Sequence, residues 1–154
     1  TSERKVKIMS KIAVVYWSGT GNTEAMASAV LQGIKKSNAE GILYSCDEFS
    51  ADLLKEYEAV AFGCPAMGDE VLEESEFEPM FESCVSSLSG KKVALFGSYG
   101  WGDGEWMRSW EERCENNGIH LVGEGVICNE MPDEEGLMQC EKLGERLVEE
   151  SERK

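Results

Sequence analysis

Ile12-Ala13-Val14-Val15-Tyr16-Trp17-Ser18-Gly19-Thr20-Gly21-Asn22-Thr23 runs an apolar, β-rich hexapeptide straight into a loop of glycines and hydroxyl residues. Residues 23–37 then place Met26, Ala27, Val30, Leu31 and Ile34 at helical spacing, with Asn22 the expected N-cap. Strand, glycine loop, helix is an arrangement that holds phosphate. A phosphate needs several donors converging on one small volume. Gly19 and Gly21 let the backbone turn its N–H groups inward, and Ser18, Thr20 and Thr23 offer hydroxyls. No Lys or Arg stands in the loop, so amides and the positive end of the helix must balance the charge. That suits a phosphate that is held rather than transferred. The Lys that a nucleotide triphosphatase carries after its last glycine is missing. Taken alone, a glycine loop of this length can equally do no more than reverse the chain.

Outward from this stretch, short β-rich runs alternate with longer helical patterns. The expected strands are 12–17, 41–45, 60–64, 92–98 and 119–128, and the expected helices 23–37, 51–57, 76–88, 106–117 and 133–150. Phe77, Met80, Phe81, Cys84 and Leu88 should face inward from the third helix, and Trp106, Trp110 and Cys114 from the fourth. Leu137, Cys140, Leu143, Leu147 and Val148 form the inner stripe of the last, which starts after Pro132. The rhythm implies an α/β fold: a doubly wound, five-stranded parallel sheet with helices on both faces. Ligands of such sheets bind beyond the carboxyl ends of the strands where the strand order reverses. The loops after the first, third and fourth strands should therefore meet.

At 154 residues and 42% hydrophobic composition, the chain makes one domain with an adequate core. Residues 1–10 read as a charged arm outside the first strand, with Met9 the natural start and an added remnant ahead of it, so the domain is expected over 11–154. No run approaches the roughly 18 apolar residues of a membrane span, and the first residues are not signal-like, so a cytoplasmic protein is expected. Thirty acidic against 15 basic residues give a net charge of −15. Such a surface repels nucleic acid and anionic lipid and attracts partners with basic docking patches. The six cysteines have no C-x-x-C pair and accompany one histidine, so metal-ligand spacing is absent. Scattered thiols of this kind are expected as small core residues. Cys140 and Arg146 satisfy the bare C-x5-R spacing of a phosphatase loop, but within a helical pattern and without a glycine turn.

Two further loops are unusual. Pro65-Ala66-Met67-Gly68-Asp69-Glu70 sets a soft thioether beside a glycine, and Tyr99-Gly100-Trp101-Gly102-Asp103-Gly104 presents one large aromatic between glycines. Met67 and Trp101 together would form an apolar slot for a flat heterocycle. Each loop alone is also compatible with an ordered turn; both fall at the same end of the expected sheet as the phosphate cradle.

These three motifs resemble those of the short-chain flavodoxins of anaerobic bacteria, the clostridial type. The similarity runs from about residue 9 to residue 150 with strand order and spacing in step. The resemblance implies sheet order 2-1-3-4-5 with FMN at the switch between the first and third strands, a rule for which the flavodoxins are a standing example. The fifth strand is expected to run uninterrupted, where long-chain relatives carry an insertion. Carried over, Ser18, Thr20, Asn22 and Thr23 hold the FMN phosphate with Gly19 and Gly21. Met67 lies on the inner face of the isoalloxazine and Trp101 on the outer face. Gly68 flips its peptide on reduction and so stabilises the semiquinone, Glu70 accepts from the flavin N3–H, and Asp69 and Asp103 flank the ring. Pro65, Ala66, Ser98, Tyr99, Gly100 and Gly102 complete the cofactor-binding set. Some relatives have a hydroxyl residue where this chain has Pro65, and many other flavodoxins place an aromatic on the inner face where this chain has Met67.

The implied function is a low-potential, monomeric one-electron carrier that shuttles electrons between redox enzymes in place of ferredoxin and is not itself an enzyme. The physics agrees. A carbonyl turned toward flavin N5 is favoured only once N5 carries a proton, and glycine permits both peptide orientations. A second electron would face Asp69, Glu70, Asp103 and the run Glu73-Glu74-Ser75-Glu76, which makes added negative charge costly. An FMN-dependent quinone reductase would need an added pocket over the flavin. A flavin-free receiver domain would need clustered acids after the first strand, where Tyr16-Trp17-Ser18 stands instead.

Overall fold

The computed structural model describes residues 10–67, 71–100 and 102–152. Its three central strands, β1 (Lys11–Tyr16), β3 (Ala59–Gly63) and β4 (Lys92–Tyr99), are apolar on both faces, as a parallel sheet covered on both sides requires. With β2 (Glu40–Ser45) at one edge, all pairings are parallel and the order is β2-β1-β3-β4. The fifth position is filled by β5 (His120–Leu121) and β6 (Val126–Asn129), both paired with β4. The sheet order 2-1-3-4-5 expected from the resemblance is the order observed.

Alternation along the strands assigns each helix its face. Ile12, Val14, Ala59, Ala61, Ala94 and Phe96 point to one side, where α1 (Asn22–Lys36) and α5 (Glu134–Ser151) lie. Ala13, Val15, Val60, Phe62, Val93 and Leu95 point to the other, under α3 (Phe77–Val85) and α4 (Glu105–Asn116). There Phe62, Phe77, Phe81 and Trp110 interlock edge to face at 5.0–6.4 Å, apart from the stacked pair Phe77–Phe81. Burying each of these rings contributes about 2–3 kcal/mol. A one-turn helix, α2 (Ala51–Leu54), capped by Ser50, leads into β3.

Three sequence expectations are corrected. The fifth strand is broken: between the pairs Val93↔Leu121 and Phe96↔Val126, β4 advances three residues and its neighbour five. The two extra residues bulge outward at Gly123, whose φ of +73° favours glycine, and the Gly125 N–H leaves the ladder for the Glu111 carboxylate at 2.6 Å. Second, Asn22 is the first residue of α1, not its cap. The cap position is Gly21 at φ +96°, which has no side chain, and the Glu24 N–H of the first turn is taken by Ser18 Oγ instead. Third, Leu137 is on the outer face of α5; the inward stripe runs through Gly136, Cys140, Leu143, Gly144 and Leu147.

The described chain begins at a residue that belongs to the fold. Ser10, read from sequence as the last residue of the arm, is buried; its carbonyl accepts from the Glu40 N–H at 2.9 Å and its hydroxyl meets that of Ser151 at 3.2 Å. All six cysteines are free and buried, as expected. No helix among the described residues is long and apolar enough to cross a membrane.

Candidate cofactor-binding site

Strand order reverses between β1 and β3, so the chains leaving their carboxyl ends part and open a gap. The loops after β1, β3 and β4 surround it, forming a cleft of about 460 Å³ walled by Trp17, Gly19, Thr20, Asn22, Pro65, Ala66, Met67, Ser98, Tyr99, Gly100 and Glu130. Nine of these eleven are residues singled out in the sequence.

In the first loop Ser18 Oγ accepts from the Gly21 N–H at 3.0 Å and the Glu24 N–H at 3.3 Å, drawing the loop into a ring. The first N–H groups of α1 have no acceptor within the helix, so α1 brings a bundle of donors to the loop. Thr20 Oγ1 lies 3.4 Å from the Asn22 N–H. Thr23 does not line the cleft: it is buried, and its hydroxyl lies 2.8 Å from that of Ser98, fastening α1 to β4 beneath the cradle.

The second and third loops are clamped side by side. Ala66 N–H donates to the Ser98 carbonyl at 2.9 Å, and Trp106 Nε1 donates to the Cys64 carbonyl at 3.1 Å while its ring packs 5.6 Å from that of Tyr99. A Cβ on Gly97 would fall 2.2 Å from the Cys64 carbonyl oxygen, so only glycine allows this approach. Gly102 (φ +85°) and Asp103 stand outside the cleft wall. Asp103 pairs with Arg108 at 3.0 Å, and Arg108 also reaches Glu105 at 3.0 Å. The cation absent from the loops is therefore supplied by α4. Gly68, Asp69, Glu70 and Trp101 lie outside the described residues.

Glu73 fixes the return of the second loop. Met67 N–H donates to the Val71 carbonyl at 3.0 Å, and two residues later the buried Glu73 carboxylate accepts from the amides of Ser75, Glu76 and Phe77 at 2.7–2.9 Å and from the Ser75 hydroxyl. It caps α3, and Glu76 then accepts from Trp17 Nε1 at 2.9 Å, tying the second loop to the first. Burial by itself would raise the Glu73 pKa; the four donors outweigh it and hold the carboxyl down at about 2. A lowered folded pKa stabilises above the ordinary value of 4.5, and the contribution is lost as pH falls toward 2. Glu73→Gln is expected to cost up to about 3 kcal/mol at pH 7, with the gap to the parent narrowing from about pH 5 down to about pH 2. Urea unfolding across that range checks this; a gap that stays constant would refute it.

Two residues of the cleft escaped the sequence reading. Trp17 was read only as the end of a strand. Glu130 follows β6 at φ +58°, its N–H donating to the Tyr99 carbonyl at 2.7 Å. The available signal was topological: the fifth strand also ends at this rim.

The flavodoxin family model matches residues 14–144. The chain belongs to the flavodoxin family. It is of the short-chain, clostridial type. It is 48% identical over 135 residues to a flavodoxin of Clostridium beijerinckii, covering 88% of this chain and 97% of that one. It is 45% identical over 134 residues to a flavodoxin of Megasphaera elsdenii, covering 87% and 96%. The solution structure of the two-electron reduced Megasphaera elsdenii flavodoxin superposes with a TM-score of 0.83 at 44% identity, over 90% of this chain and 98% of that chain. A flavodoxin structure from the domain Archaea gives 0.83 at 32% identity, over 93% and 99%.

FMN is the cofactor of this family, and the residues fit it. The cleft has a volume usual for cofactor sites, with hydroxyls and helix-end amides from the Ser18–Asn22 loop and the apolar Pro65, Ala66 and Met67 together with Tyr99 in its wall. As a flavodoxin the chain is an electron-transfer flavoprotein that works with redox partners.

Proposed function

We propose that this flavodoxin is a low-potential one-electron carrier, monomeric and cytoplasmic, that takes the place of a ferredoxin between redox enzymes and catalyses no reaction of its own. The observation that supports this best is the single cleft in which a phosphate cradle and an apolar slot lie end to end. Bound FMN supplies an isoalloxazine that gains and loses electrons one at a time.

The chain's own groups do the rest. Ser18, Thr20, Asn22 and the first amides of α1 hold the phosphate, and the Thr23–Ser98 pair keeps that cradle fixed to the sheet. Pro65, Ala66 and Met67 cover the inner face of the ring and exclude water there, Trp101 covers the outer face, and the Tyr99–Gly100 backbone faces its edge. Glu70 accepts from N3–H, with Asp69 and Asp103 flanking. Glycine at 68 lets its peptide present either the carbonyl or the N–H toward N5. Glu130 adds a carboxylate to this rim and Arg108 offsets Asp103, so the potential of the second electron reflects an acidic surround tempered at one point. With a net charge of −15, partners are expected to dock through basic patches.

Stepwise dithionite addition to the FMN-loaded protein tests the carrier reading. A long-wavelength absorbance band should grow with the first electron equivalent and fade with the second. Direct passage to the fully reduced spectrum, with NAD(P)H consumption, would instead indicate a reductase. Gly68→Thr is expected to lower the potential of the first electron, because a β-branched residue resists one of the two peptide orientations. Equal potentials in variant and parent, by spectroelectrochemistry, would remove that role.

A further inference from the structure

A cleft more spacious than the cofactor site lies elsewhere on the sheet. It lies between β6 and α5, with a volume of about 820 Å³, and Cys128, Pro132, Gly136 and Gln139 are among the residues that line it. Cys128 on β6 is 7% exposed, at the cleft wall, and Cys140 on α5 lies behind it, fully buried. The first turn of α5 sits directly on the Cys128 sulfur: a Cβ on Gly136 would be 2.7 Å from Sγ. Cys140 is one helical turn further along the same face, and the two side chains share one buried cluster.

We propose that Cys128 and Cys140 form a reactive dithiol that low-molecular-weight disulfides oxidise through this cleft. The Cys128 thiolate attacks one sulfur of the incoming disulfide R–S–S–R, forming a mixed disulfide and expelling one thiolate, which takes up a proton. Cys140 gives up its proton and attacks Cys128 Sγ. The Cys128–Cys140 bond forms and the second RSH leaves, so one disulfide is reduced to two thiols as the pair is oxidised.

The chemistry of the pair differs from that of the other cysteines. The neighbouring Cys140 thiol favours the Cys128 thiolate and lowers its pKa against the opposing effects of burial and Asp133. Cys128 and burial raise that of Cys140; Cys128 stands at the cleft wall and Cys140 behind it, so attacker and resolver are distinct. Burial pushes the thiols of Cys46, Cys64, Cys84 and Cys114 up. Oxidation would staple β6, whose end supplies Asn129 and Glu130 to the Tyr99 carbonyl, to the helix beneath it.

The probe is dithiobis-nitrobenzoate added to the folded, FMN-loaded chain, with thionitrobenzoate release followed by absorbance and products mapped by non-reducing peptide mass analysis. The expected result is about two equivalents released in one fast phase, leaving a Cys128–Cys140 linked peptide. Cys140→Ser should release about one equivalent and retain the aryl group on Cys128, whereas Cys128→Ser should slow the first release at least about 10-fold. A stable mixed disulfide on Cys128 in the parent protein overturns the proposal. So does a fast phase that survives Cys128→Ser, or one that maps to another cysteine.

Discussion

Gly33→Ala is expected to lower the stability of the folded chain by about 2–3 kcal/mol, although alanine is the better helix former by about 1 kcal/mol. The reason is the contact between α1 and α5. A Cβ on Gly33 would stand 2.0 Å from the Glu141 carbonyl oxygen, and one on Gly144 would stand 2.2 Å from the Val30 carbonyl oxygen. The two helices meet backbone to backbone at reciprocal glycines, and neither carbonyl can move without breaking its own helix. Separating the helices would pull Val30, Ile34, Leu143 and Leu147 off the alanine-lined face of the sheet. For a chain of this size the loss corresponds to a melting temperature lower by roughly 4–12 °C. Scanning calorimetry of the FMN-free chain reads it, with Gly100→Ala as control, since a Cβ there meets no protein atom within 4 Å. A Gly33→Ala protein as stable as the parent would show that α1 and α5 are not in backbone contact.

Thr20→Asp is expected to weaken FMN binding at least about 100-fold while leaving the fold intact. Thr20 is exposed on the cleft wall, and its side-chain oxygen faces the Asn22 N–H at 3.4 Å, a contact that an aspartate oxygen can keep. The added charge then sits where the proposed phosphate binds. Two unit charges about 4 Å apart at a protein surface repel by about 4 kcal/mol, which is more than the factor claimed. Riboflavin has no phosphate and is the internal control: its affinity should change little. Calorimetric titration of both ligands into the apoprotein decides the matter, and an equal loss for the two would place the phosphate elsewhere.

How much of this was legible beforehand varies with the range of the interaction. The strand positions followed from short apolar runs whose neighbours are glycine or charged residues. The inward faces of α3 and α4 followed from helical spacing, and Phe77, Phe81, Trp106, Trp110 and Cys114 are all buried as read. The break in the fifth strand was not legible, because Val122, Val126 and Ile127 look like continuous strand. The interruption depends on Gly123, on the Glu111 carboxylate that captures the Gly125 amide, and on a two-residue mismatch with β4. Asn22 was misread as a cap because a good capping residue stood one place inside the helix, while Ser18, three residues before the cap position Gly21, takes the first-turn amide of Glu24.

The chain's local chemistry by itself determined that three glycine-bearing loops follow three strands, that one offers hydroxyls and helix-end amides, and that another offers a thioether. Those are properties of residue type and period, which act over a few positions. Only the tertiary structure decided that Thr23 is spent on Ser98 and that Glu76 reaches Trp17. It alone set Cys128 beside Cys140. Each of these pairings joins groups whose meeting depends on how strands and helices are stacked, and no spacing within a single segment encodes that.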